Sequence, residues 1–200
     1  MAVATARKPA VPTAERILDV AERLVQTRGF KGFSYADVAE HLGITKASLH
    51  YHFPGKAELG EALIVRYSAR FAGALERIDA KVPSAGAKLD AYVELYAKVL
   101  RARRMCLCGI LAAEFETLPG PMRDAVVRFF DDNQAWLATV LTRGQADGVL
   151  SFRGTAEDAA QSLISGLEGA MLLARPYADP RRFESAARRL LAGVVADPER

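Results

Sequence analysis

Apolar residues recur along almost the whole 200-residue chain at intervals of three and four, the spacing of one face of an α-helix. Ile17, Leu18, Ala21, Leu24 and Val25 form the first stripe, which Thr13 opens as a cap and Gly29 closes. Two short amphipathic segments follow at 35–42 and 46–53, separated only by Gly43, Ile44 and Thr45, too few residues for anything but a tight turn. A longer pattern covers 56–82, with Leu59, Leu63, Tyr67, Phe71, Leu75, Ile78 and Val82 on one side, until Pro83-Ser84-Ala85-Gly86 breaks it. Leu89, Tyr92, Val93, Tyr96, Val99 and Leu100 mark the next helix. A loop from Met105 leads into a short helix that ends before Pro119, and Val126, Phe129, Phe130, Trp136, Leu137, Val140 and Leu141 define another over 122–146. Thr155 and Asp158 form a capping box for a helix to about residue 174, and Asp179-Pro180 opens the last one. With no period-two alternation and no internal repeat, the pattern predicts an all-α chain. It divides into an extended arm (1–12), a three-helix N-terminal head (13–56) and a C-terminal helical body (57–200), with a connecting helix over 56–82 about 40 Å long.

The capping chemistry makes residues 34–56 the most specific stretch. Ser34 is placed to cap the first short helix, with Asp37 at the capping-box position and Phe33 stapled onto Val38. Gly43 supplies the left-handed residue that ends it, and Thr45 caps the second helix, with Ile44 and Leu49 repeating the staple. This is the grammar of a helix-turn-helix. In the second helix Leu49 and Phe53 stand four apart and face inward, which leaves Lys46, Ala47, Ser48, His50, Tyr51 and His52 outward or sideways. Donors, small residues and planar rings suit a DNA major groove; the plainer reading is a hairpin in a larger bundle with a solvated polar face.

Charge distribution favours the groove. Residues 1–56 carry eight Lys and Arg against five Asp and Glu, while 57–200 carry nineteen of each, so the whole net charge of +3 lies in the head, together with all three histidines. Arg7 and Lys8, beside Pro9 and Pro12, suit an arm that adds phosphate contacts. The N-terminus lacks a signal-peptide core and no run reaches the roughly 18 apolar residues of a membrane span, so a cytoplasmic protein without membrane contact is expected. Cys106 and Cys108 are too close for an ordinary disulfide, in keeping with a reducing compartment.

The helix-turn-helix resembles that of the tetracycline-repressor (TetR) family of bacterial transcription regulators. The resemblance rests on Phe30, Phe33-Ser34-Tyr35, Val38-Ala39, Gly43-Ile44 and Leu49-His50-Tyr51-His52-Phe53 followed by Lys56, within residues 13–60; His50 departs from the Tyr that the family most often has there. By motif match, Thr45, Lys46, Ala47, Ser48, His50 and Tyr51 are assigned to the groove, and Ser34, Tyr35, His52 and Lys56 mainly to phosphates. The resemblance further implies a homodimer on a palindromic operator, and a body that binds a small-molecule effector and shifts the connecting helix.

Residues of the body that suit such a pocket are Tyr92, Tyr96, Phe115, Phe129, Phe130 and Trp136, although each reads first as core and only then as pocket lining. Glu114, in line with Leu107, Leu111 and Leu118, and Asn133, between Phe130 and Leu137, are polar residues on apolar stripes. Once buried, each needs a partner, either Arg103 or a backbone group, or a ligand amine or hydroxyl. Ser162, Gly166 and Ala170 form a row of small residues on the penultimate helix, and Phe183, Leu190, Leu191 and Val194 an apolar stripe on the last. These two helices are the expected dimer interface, the alternative being that they close a monomer core. Cys106 and Cys108 offer a rival trigger, as thiolates activated by Arg103 and Arg104, or else are core cysteines. A constitutive DNA binder without effector is a further alternative. No phosphate-cradling glycine loop, metal-ligand cluster or Cys/His nucleophile pair is evident, so neither enzyme activity nor a cofactor is expected.

Overall fold

The computed structural model describes residues 12–195. The basic arm, with Arg7, Lys8 and Pro9, lies outside them. The elements are α1 (Thr13–Arg28), α2 (Tyr35–Leu42), α3 (Lys46–His52), α4 (Lys56–Lys81), α5 (Ala85–Arg101), α6 (Leu107–Ala113), α7 (Gly120–Ala146), α8 (Ala156–Ala174) and α9 (Pro180–Ala192). Two single 3-10 turns follow α6 and α8, and one isolated bridge pairs Leu150 with Val195.

Local chemistry sets the helix boundaries. Ser34 and Asp37 form the reciprocal capping box at α2, Thr45 and Ser84 cap α3 and α5, and Thr155 with Asp158 repeats the box at α8, whereas Thr13 is already the first residue of α1 and Pro12, which has no side-chain acceptor, takes the cap position expected for it. Gly43 ends α2 at φ 65°, the left-handed conformation that glycine adopts without a Cβ clash. Cys106 lies not in an open loop but at the start of α6, where its sulfur accepts the Gly109 amide.

The head packs around Ile17, Ala21, Val25, Val38 and Leu49. In the body, α8 lies between α7 and α9, with α5 against both α7 and α9. The connecting helix belongs to both halves. On α4, Arg66 donates to Glu15, Asp19 and Glu22 of α1 at 3.0, 2.9 and 2.8 Å, and Arg70 shares Glu22 at 3.0 Å. Glu22 is buried, so these hydrogen-bonded cations are what make its charge tolerable there. Nearly two turns before Arg66, Gly60 touches both halves. A Cβ at that position would stand 2.5 Å from Met122 Sδ of α7 and 2.8 Å from the Phe30 ring of the head.

A second seam joins the end of α1 to the body. The Met105 amide donates to the Gln26 carbonyl at 3.1 Å, and the Arg175 guanidinium donates to the Thr27 carbonyl. Glu114 accepts the amides of Phe30 and Lys31 at 3.1 and 3.2 Å.

The expected dimer stripe is largely used inside the chain. Phe183 and Val194 are buried in the body's own core, and Leu190 closes on Gly166, where an added Cβ would stand 2.7 Å from it. The small side of α8 thus admits α9 of the same chain. Ala170 and Leu191 are half-buried against that core, and Ser162 is exposed.

Candidate nucleic-acid interface and effector cavities

The seven-residue α3 presents its outer face because Leu49 is fully buried and Phe53 half-buried beneath it. Thr45, Lys46, Ala47, His50 and Tyr51 are exposed, Tyr51 to 85%. Ser48 and His52 are half-buried, and the His52 ring meets Tyr51 edge to face at 5.3 Å. The lone cation on this helix, Lys46, stands in the first turn, beside the Thr45 cap. A face about two turns long with Lys, small residues and two rings matches what a major groove admits.

Three residues expected to touch DNA have a polar group engaged within the head. The Tyr35 hydroxyl is held by the carbonyls of Phe53 and Gly55, at 2.9 and 2.5 Å, and burial with the nearby Glu58 pushes its pKa up to about 12. Lys56 donates to the Phe33 carbonyl at 2.5 Å, with its ammonium over the rings of Phe30 and Phe33 at 4.8 and 4.4 Å. Burial moves its pKa down, against the pull of Glu114 and Asp37. His50 sets Nδ1 3.0 Å from the Pro54 carbonyl, which fixes the proton on that nitrogen and leaves Nε2 outward. In the neutral ring Nε2 accepts, which suits an amino group on a base edge rather than a phosphate. Tyr35 and Lys56 therefore brace the entry of α2 against the turn after α3. The Ser34 hydroxyl donates to Asp37 at 2.6 Å, and the hydroxyl and amide of Ser34 hold the Asp37 carboxyl below its ordinary pKa.

In the body, the expected pocket residues separate into three groups. Glu114 and Phe115 stand at the head-body seam; the Glu114 carboxylate is taken by backbone amides rather than by Arg103 or a cavity. Tyr92, Phe129, Asn133 and Trp136 are bonded into the core: Asn133 donates to the Phe129 carbonyl at 2.7 Å and accepts from Tyr92 at 3.4 Å. Trp136 stacks on Tyr92 at 5.6 Å and donates to Asp79 at 2.8 Å. The remaining two border cavities. One, of about 380 Å³ between α4 and α5, is lined by Tyr67, Phe71, Tyr96, Val99, Cys106 and Met171 among others. The other, of about 320 Å³ between α6, α7 and α8, is lined by Gly109, Phe130, Gln134, Gln161, Ser165 and Glu168 among others.

Both cysteines are buried, and burial pushes both thiols well above their ordinary pKa, with Glu168 adding to the effect. This is opposite to the thiolate activation expected from Arg103 and Arg104. Arg104 instead reaches Gln26 at 3.4 Å, and Cys106 accepts from the Tyr67 hydroxyl at 3.6 Å. Sequence reading missed Glu168, although the signal was the one that singled out Glu114. It falls four residues after Ile164 and three before Met171, in an apolar row.

A family described as "Bacterial regulatory proteins, tetR family" matches residues 17–63, and one described as "Tetracyclin repressor-like, C-terminal domain" matches 85–190. The transcriptional regulator AcuR of Cereibacter sphaeroides is 30% identical over 166 residues, which cover 79% of this chain and 75% of that protein. A TetR-family transcriptional regulator from Agrobacterium tumefaciens superposes with a TM-score of 0.88 at 32% identity, covering 92% of this chain and 97% of the other. A TetR transcriptional regulator from Legionella pneumophila does so with a TM-score of 0.80, also at 32% identity, covering 94% and 100%.

Proposed function

The chain belongs to the TetR family of DNA-binding transcriptional regulators, and from that premise we propose that it is a repressor that binds a palindromic operator as a dimer and leaves it when a small molecule enters the body. In this reading Lys46 and Tyr51 meet the groove with Thr45, Ala47, Ser48 and the free edge of His50, while His52 and Ser34 lie toward the backbone. The observation that carries the effector part is the position of α4. The same helix that grips α1 through Arg66 and Arg70 lines the 380 Å³ cavity with Tyr67 and Phe71. A ligand that fits the cavity better when α4 has moved favours a head position unsuited to DNA, by the difference in its affinity for the two arrangements. A constitutive binder has no need of such cavities.

For the dimer, the outer face of α8 replaces much of the expected stripe. Ser162, Ser165 and Gly169 offer a flat approach, and Leu172 and Leu173 are 54% and 71% exposed beside them. Two copies related by a two-fold axis along this face would place both α3 helices on one side of the duplex. No helix among the described residues is long and apolar enough to cross a membrane. A cytoplasmic location accords with this reading.

The decisive experiment is selection of genomic fragments with the purified chain, repeated after adding candidate effectors, with sedimentation to weigh the species. The reading predicts a palindromic site bound by two chains and released by at least one compound. A Leu172→Glu, Leu173→Glu double variant is expected to sediment as a monomer and to lose the site. A single chain bound to a non-repeated sequence would refute the dimer, and binding indifferent to a broad compound set would refute the repressor-release mechanism.

A further inference from the structure

Glu168 of α8 is half-buried and lines the 320 Å³ cavity, and its Oε1 is buried without a hydrogen-bond partner. Oε2 lies so close to Gly109 of α6 that a Cβ there would stand 2.1 Å from it. Buried polar groups are almost always paired, so an orphaned carboxyl oxygen beside a cavity points to a missing donor.

The surroundings specify what that donor carries. The titratable groups that bear on Glu168 are Cys106 and Cys108 from α6, Tyr67 from α4, and Tyr92 and Tyr96 from α5. All five are acids, and burial raises the pKa of each, so they are neutral at pH 7. Among the described residues, no lysine, arginine or histidine enters the balance: burial pushes the Glu168 carboxyl up to about 7, and the Cys106 thiol alone draws it back. An anionic ligand would meet only acids here. A neutral donor would satisfy Oε1 but leave the carboxylate charge uncompensated, whereas a cation does both. Around the mouth, Phe130 and Ile164 offer apolar surface, and Gln134 and Gln161 can turn amide oxygens toward a second N–H.

We propose that the cavity between α6, α7 and α8 binds an organic ammonium ion, which donates an N–H to Oε1 of Glu168 and rests its apolar part on Phe130 and Ile164. This names the chemical class of ligand for a second cavity, one that α4 does not line. It rests on the regulator reading for any consequence at DNA, but the binding itself stands apart from that reading.

The test compares three probes of one skeleton on the full-length chain by titration calorimetry near pH 7: phenethylammonium, 2-phenylethanol and phenylacetate. The ammonium ion is expected to bind at least about tenfold more tightly than the alcohol, with the carboxylate weakest. Because a cation selects the ionised acid, binding should release about half a proton, measured in two buffers of different ionisation heat. Glu168→Gln should bring the ammonium ion and the alcohol to equal affinity and abolish the proton release. The proposal is overturned if the alcohol or carboxylate binds as well as the ammonium ion, if no probe binds, if no proton is released, or if the Gln variant keeps the preference. Should that variant not fold, the wild-type ranking and proton count decide the matter. Ammonium binding that leaves operator affinity unchanged would instead tell against effector release and leave this site intact.

Discussion

Removing the Glu114 carboxylate tests how firmly the head is fixed to the body. It accepts two backbone amides from the linker between α1 and α2, at 3.1 and 3.2 Å, from residues 84 and 83 positions away. A hydrogen bond to a charged group contributes about 1.5–3 kcal/mol when buried. This seam is half-exposed, and water can replace the carboxylate, so about 1 kcal/mol for each bond is the better figure. Glu114→Ala is therefore expected to destabilise the fold by about 2 kcal/mol, which for a chain of this length lowers the melting temperature by about 4–8 °C. Glu114→Gln, which keeps one acceptor, should lose about half as much. Urea melts at fixed protein concentration read the stability, and hydrogen exchange reads the amides of Phe30 and Lys31, which should exchange faster. Gly29→Ala attacks the same contact from the other side: its φ is 84°, and its Cβ would stand 2.0 Å from Glu114 Oε1. The double variant should cost less than the sum of the two. A loss below about 0.5 kcal/mol for Glu114→Ala, with unchanged exchange over 29–31, would refute the argument.

The brace and groove assignments separate two lysines. Lys46→Ala should weaken DNA binding and reduce its salt slope by about 1, whereas Lys56→Met should lower head stability and leave the slope as it was; equal slope changes would overturn the distinction. The folded pKa of Glu168, about 7, lies above the ordinary 4.5, so relative to Glu168→Gln the wild type is favoured below about pH 4.5 and loses stability as pH rises toward 7. Above pH 7 the difference between the two proteins should stand about 3 kcal/mol less favourable to the wild type than it does at pH 4, in denaturant melts between pH 4 and 8; a pH-independent difference would contradict the buried acid. Cys106 and Cys108 should react with iodoacetamide only as fast as the body opens, and labelling at the rate of a free thiol would revive a thiol trigger.

Local chemistry was readable in the chain and distant chemistry was not. The caps at Ser34, Thr45 and Thr155, and the left-handed Gly43, follow from residues within three or four positions of one another, and the structure realises each. The inward direction of Leu49 follows equally from helical spacing. Lys56 is different, because its ammonium answers to a carbonyl 23 residues earlier and to two rings, none of which a motif encodes. The same holds for Arg66, whose three carboxylate partners on α1 lie 44 to 51 positions away. On α8 the small residues correctly announced a close helix approach, but composition is silent on whether the neighbour is α9 of the same chain or another copy.

The bare backbone at Gly60 makes one position on α4 a shared bearing surface, with Met122 on one flank and Phe30 on the other. Neither flank has a gap to absorb a methyl group, so Gly60→Ala must push aside the Met122 thioether and the Phe30 ring, and it wedges the two halves apart to the extent that these side chains do not yield. Such a wedge would imitate an inducer from within. Under the proposed mechanism the variant should fold, dimerise and yet stay off its operator in every condition, a permanently derepressed allele with an untouched reading helix.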